Sequence, residues 1–175
     1  MIEWTNRDAV LTAMSRWPRI FAEESQFALS AYAEVIVAEI IERTPVGHGG
    51  GPWGHLANSI QAGDPYKTGR GWEIEYGTPA EYAEPIEYGR RPGSMPPVAA
   101  IAEWVLSKPS FGVSDEKEAL RIAYPIARAI ARRGYKDHPD GWKMFEEGLK
   151  AAEPRLEMIL NRMRTNIDRR TSLGQ

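Results

Sequence analysis

The sequence predicts an α+β fold on three observations: helical apolar spacing over residues 18–43, a period-2 segment at Trp72-Glu73-Ile74-Glu75-Tyr76, and a last third with apolar residues every three to four positions. A chain of 175 residues with 42% hydrophobic and 26% charged residues is long enough to bury one core, and is expected to form a single domain over 1–175. Its 24 acids and 22 bases leave a net charge of −2, which gives no general attraction for nucleic acid or acidic lipid. The chain has no cysteine, so disulfides, thiolate metal sites and cysteine nucleophiles are excluded. Glu3, Arg7 and Asp8 interrupt the apolar run a leader would need, and nothing approaches a membrane span, so synthesis in a cytoplasm and no membrane partner are expected.

The first helix is predicted to enter at Trp17-Pro18 and stop at Thr44-Pro45, a length of roughly 39 Å. Leu29, Ala33, Ile36, Val37 and Ile40 share one face and Ala28, Tyr32 and Val35 a second flank, leaving a narrow polar strip of Glu23, Glu24, Glu34 and Glu42. Such a helix either lies at the centre of a monomer's core or meets another subunit, and the sequence leaves both open. Residues 44–71 are rich in Gly, Pro and small polar residues and read as a loop with one short strand near 56–62. Trp53, Leu56 and Tyr66 are apolar groups in that stretch that gain by burial, so it is expected to order against a neighbouring subunit with these three as contacts.

The strand at 72–76 is predicted to pair with the segment around Ser59-Ile60. A short element at 82–88 leads through Pro92, Pro96 and Pro97 into a helix reaching about Ser107. Asp115-x-x-Glu118 reads as a capping box opening a helix with Ala119, Ile122, Ala123, Ile126 and Ile130 in its stripe, kinked at Pro125 and stopped by Gly134. A final helix carries Trp142, Phe145, Leu149, Ala152, Leu156, Ile159 and Met163, with Pro154 as a bend; residues 1–14 and 165–175 are expected to be flexible or partner-ordered ends.

Chemistry-bearing groups do not assemble into a catalytic set. His48-Gly49-Gly50-Gly51 has the letters of an oxyanion loop, but no Gly-x-Ser-x-Gly nucleophile elbow accompanies it. His48 and His55 are seven residues apart in a loop, not at metal-ligand spacing on a helix, and Glu73 and Glu75 read as the wet face of a strand. No catalytic residue, metal ligand or cofactor is assigned. The one local charge asymmetry is basic: Arg121, Arg128 and Arg132 fall in a narrow arc opposite the apolar stripe of their helix, and five bases with no acid lie between Arg121 and Lys136. Such a face is either solvated or meets an acidic neighbour or passing DNA phosphate.

Four segments, in order, carry a resemblance: Thr44-Pro45-Val46-Gly47 with Leu56-Ala57-Asn58-Ser59-Ile60; Glu75-Tyr76-Gly77-Thr78; Tyr82-Ala83 with Ile86-Glu87-Tyr88-Gly89; and Met95-Pro96-Pro97 through Trp104-Val105, with Ile122-Ala123, Gly134 and Met144-Phe145 beyond. Together, over about residues 28–163, they resemble the Hong Kong 97-type phage minor tail proteins, neck or tail-completion components of tailed bacteriophages. The chain departs from that pattern at Gly47-His48-Gly49 and inserts residues 50–54 before Leu56.

The resemblance implies a long N-terminal helix packed on a small antiparallel β-sheet, with additional C-terminal helices over 96–163. It implies a structural virion protein at the neck or tail, made in the host bacterial cytoplasm, forming a ring of its own copies between head and tail. Its partners would be a stopper or adaptor and a tail terminator or tube, with DNA passing through the lumen. A tail terminator or other connector is the alternative; a phage-encoded hydrolase would need a nucleophile-base set that the residues do not supply. In this frame Tyr82, Glu87 and Arg90 join the candidate subunit contacts, Glu87 as a carboxylate in need of a backbone or Arg90 partner, and Gly77 and Gly89 are expected to turn with positive φ.

Overall fold

The structure, a computed structural model, describes residues 7–45, 52–80, 82–135 and 138–172, with the backbone alone for 7–13 and 52–55. In chain order the elements are α1 (Arg7–Arg43), α2 (Pro52–Ser59), β1 (Gln61–Ala62), β2 (Tyr66–Thr68), β3 (Gly71–Glu73), β4 (Tyr76–Gly77), α3 (Ala83–Tyr88), α4 (Val98–Leu106), α5 (Glu116–Arg133) and α6 (Met144–Thr171). This is the expected α+β class: a long N-terminal helix, a small antiparallel β region and C-terminal helices. The chain divides into two compact units, one of residues 1–36, 62–76 and 151–175, the other of 37–61 and 77–150.

In the first unit α1 is longer than its sequence signals indicate. It starts at Arg7, and Pro18, read as the entry, lies inside it. Pro18 is exposed, so the carbonyl it leaves unpaired on the preceding turn is open to water, which lowers the cost of a proline there. Ile20, Glu24 and Ala28, four residues apart, are the buried row of this part of the helix. Glu24 is therefore not part of the wet strip. It accepts hydrogen bonds from Asn166 Nδ2 (3.0 Å) and Arg170 Nη1 (2.8 Å), which pin α6 as far as its last turn. The end of the chain expected to fray from 165 is thus helical through Thr171.

The hairpin of this unit pairs β2 with β3 antiparallel, in the register Tyr66↔Glu73, Lys67↔Trp72 and Thr68↔Gly71. Thr68 Oγ1 donates to Glu73 Oε1 (2.8 Å), and Gly71 takes φ 143°, a value open to glycine. The segment 72–76 is therefore two short strands, not one. β3 pairs with β2 and β4 pairs with β1, so the partner expected around Ser59-Ile60 is met only at Gln61–Ala62, and only by the second of the two strands.

In the second unit the region read as loop and strand contains a helix, α2, because Leu56, Ala57 and Ile60 are buried at i, i+1 and i+4 while Asn58 is exposed. Ser59 Oγ at its end lies 2.6 Å from Thr78 Oγ1. Ile40, Leu56, Ile86 and Met144 are fully buried, and Thr44 Oγ1 bonds to Ile40 O (2.8 Å) and approaches Met144 Sδ (3.4 Å). Gly148 lets α6 cross α1 closely: a Cβ there would stand 2.6 Å from Ile40 Cγ1. Elsewhere in the unit α4 packs on α5 through Ala102, Val105, Ala119 and Ala123, flanked by Trp104, Ile122 and Ile126. Small residues at 119, 123 and 127 form the deepest row of α5, and Pro125 falls on its exposed side. Asp115 occupies the position before α5 but makes no side-chain cap bond, so the expected capping box is not formed. Gly134 ends α5 with φ 67°, as expected.

Candidate assembly site

The residues 82–90 form a joint that the sequence indicates only in part. Glu87, on α3, is buried at 5% exposure. Its Oε2 accepts the backbone N–H of Phe145 (2.9 Å) and its Oε1 that of Glu146 (3.2 Å), both in the first turn of α6. Those amides have no partner within the helix, and the helix dipole favours an anion there, so one buried carboxylate satisfies two of the helix's open, part-buried donors. The partner is thus backbone, one of the two options expected, and not Arg90.

Three glycines make this joint possible. Gly89 takes φ 76°, and a Cβ on it would stand 2.1 Å from Pro139 O and 2.5 Å from Gly141 N. Gly141 and Gly134 are equally tight, against Glu87 O and Arg90 O. The segments are laced by Trp142 N–H to Ile86 O (2.8 Å), Lys143 N–H to Glu87 O (3.1 Å) and Tyr135 N–H to Arg90 O (3.0 Å). Trp142, read as helical, instead precedes α6 and stacks on His138 at 4.1 Å between centroids. Burial pushes the Tyr82 and Tyr135 phenols above their ordinary range. Gly77, by contrast, has no positive φ.

The arginines expected to form one face do so. Arg121, Arg128 and Arg132 are exposed on α5, opposite the buried row Ala119, Ala123 and Ala127. Among the described residues none of the three has an ion-pair partner. Arg90, half-buried, donates from Nη2 to Ser94 O (3.3 Å) and Oγ (3.1 Å), while its Nε is buried without a partner. Its backbone lies against Gly134, which puts Arg90 and Arg91 at the same end of α5 as Arg132 and Arg133.

The other expected contacts are dispersed. Leu56 is fully buried in its own unit and offers no surface. Tyr66 is exposed at 40% and donates its hydroxyl to Glu75 Oε1 (2.9 Å), a bond that raises the phenol's pKa. The side chain of Trp53 lies outside the described residues, as does the turn at 46–51. Among the described residues, no group of three or more His, Asp or Glu is gathered as a metal site requires. No helix among the described residues is long and apolar enough to cross a membrane.

The sequence reading missed the ionic cluster between α1 and α6. Arg170 reaches both Glu24 and Glu23 (2.6 Å), and Arg19 adds a second bond to Glu23 (2.7 Å). These guanidinium bonds hold both carboxyls below the ordinary glutamate range, Arg170 contributing most in each case. The available signal was the position of Glu24 in the apolar row Ile20–Ala28, where an acid needs a buried partner.

Comparison with known proteins bears on the first half of the chain. Residues 8–89 match the HK97-gp10-like family model, described as "Bacteriophage HK97-gp10, putative tail-component". No curated protein matches the chain significantly, and neither does any solved structure. The match ends at Gly89, the first of the joint's three glycines, and takes in α1, α2, the β region and α3. Over residues 8–89, just under half of its length, the chain is similar to the HK97-gp10-like family, whose members are described as putative bacteriophage tail components.

Proposed function

We propose that the chain is a neck or tail-completion subunit, one copy of a ring that joins head to tail in a tailed bacteriophage. The observation that carries this beyond tail membership is the α5 face. Three exposed guanidinium groups lie in one arc with no carboxylate of their own chain to pair with among the described residues. Arginine forks are suited to bidentate contact with carboxylates. A ring is built by a surface of one copy meeting a different surface of the next. The acids left for this role on α1 are Glu34 and Glu42, both exposed, since Glu23 and Glu24 are held by Arg170. Contact with the neighbouring copy is favoured over contact with DNA, because a basic lumen summed over every copy would retain DNA that has to slide through.

In this reading the protein has no catalytic turnover and no cofactor. It touches a stopper or adaptor on one side and a tail terminator or tube on the other, and DNA only passes it. The test is Arg128→Glu. The free chain should keep its melting temperature, as an exposed charge reversal costs the fold less than about 0.5 kcal/mol, while assembled rings and tailed particles are lost. A normal yield of tailed particles would leave the arginines as a solvated face and remove the reading's support.

A further inference from the structure

The pairing of α1 with α6 leaves a helical seam that outlasts its partner. On α1 the positions 14, 17, 21, 24 and 28 have the 3-4 spacing of a coiled-coil seam and hold Met14, Trp17, Phe21, Glu24 and Ala28. Glu24 and Ala28 are buried, and Glu24 meets Asn166 and Arg170. Arg162 lies over the Phe27 ring at 5.9 Å, so the two helices run antiparallel. Arg170, which meets Glu23 and Glu24, is the penultimate residue of α6, so α1 runs on past the end of α6. There the seam stands open: Met14, Trp17 and Phe21 are 49%, 47% and 57% exposed, against 8% for Ile20 among them.

We propose that this open end is an interface between copies of the chain, seated on the exposed Leu156–Leu160 face of α6 in the next copy. This rests on the ring reading and names one of its contacts. Continuity is the first argument. The open row prolongs a seam that already holds a helix, so a second helix extends the same packing by the same spacing. Size is the second. Aromatic side chains bury 150–250 Å² each, so three large groups about half exposed supply on the order of 300 Å² of apolar surface. That is the apolar centre of an interface whose standard size is about 800 Å² per partner.

Charge and closure choose the occupant. Leu156 and Leu160, one turn apart and 36% and 45% exposed, stand beside the exposed acids Glu153 and Glu157. The exposed Arg16, next to Trp17, has no carboxylate partner among the described residues. Two open ends paired with each other would close the assembly at two copies. An open end on a different surface of the next copy continues until rotation closes it.

The chain has no cysteine, which makes the contact directly testable by Phe21→Cys and Leu160→Cys. After mild oxidation, a mixture of the two single variants should form a covalent dimer at least ten-fold more abundant than in either variant alone. A chain carrying both should give a ladder of multimers. Native mass of the same samples reports assembly independently. A closed multimer without the cross-link overturns this contact and leaves the ring reading standing; a cross-link of Phe21→Cys alone overturns it in favour of an isologous pair. The mixed cross-link in samples that form no closed multimer supports the contact and removes the ring, and neither cross-link nor multimer removes both. Phe21→Ser serves as the second variant: it should melt within a few degrees of the parent and fail to assemble.

Discussion

Two buried carboxylates, one in each unit, are satisfied in different ways. Glu24 meets a guanidinium and an amide from the last turns of α6, whereas Glu87 meets two backbone amides at the first turn of the same helix. The first arrangement depends on two side chains, and the side chain of Arg170 keeps 40% of its surface in water. The second depends on backbone that is fixed once the helix forms, braced by three glycines in close contact. A buried acid answered by backbone is part of the architecture; one answered by a half-exposed arginine is a latch that solvent can weaken.

The largest effect should come from the brace. Gly89→Ala puts a methyl group 2.1 Å from Pro139 O on a backbone with φ 76°, so both space and conformation oppose it. The variant is expected to lose more than about 4 kcal/mol, or to fail to fold, in denaturant titration. Glu87→Ala comes next. It leaves two part-buried N–H donors unpaired, at up to about 1–3 kcal/mol each, and Glu87→Gln, which keeps one acceptor oxygen, should recover part of that loss. Equal melting of the Ala and Gln variants would show that water replaces the carboxylate.

The latch should respond less. Glu24→Ala is expected to cost about 1 kcal/mol, with exchange rising first at amides near Asn166, because the partners it releases turn to solvent. The pH dependence follows from the lowered pKa values of Glu23 and Glu24. A carboxyl depressed in the folded state stabilises above its ordinary value of 4.5, and that stabilisation fades as pH falls through the folded value. Acidification below about 4.5 should therefore loosen the last turns of α6, and Glu24→Gln should abolish much of that response.

Much of this contrast was written locally in the chain. The 18–43 periodicity carries α1, Asp115 to Gly134 brackets α5, and the isolated acid in Ile86-Glu87-Tyr88-Gly89 announces a need for a partner. Other features had no local signal. Asn166 and Arg170 become anchors only through Glu24, 142 and 146 residues away. Turn-like glycines and prolines around 49–54 obscured α2, whose helical spacing at Leu56, Ala57 and Ile60 is only one turn long. The arginine face was legible, since helical spacing alone puts Arg121, Arg128 and Arg132 opposite the alanine row.

The most direct test of the ring account is the native mass of the purified full chain, with particle images of the same sample. The account predicts one discrete closed multiple of the 19.6 kDa chain, seen end-on as a ring and lost in Arg128→Glu. A monomer at every concentration, or an open filament of undefined mass, would contradict it.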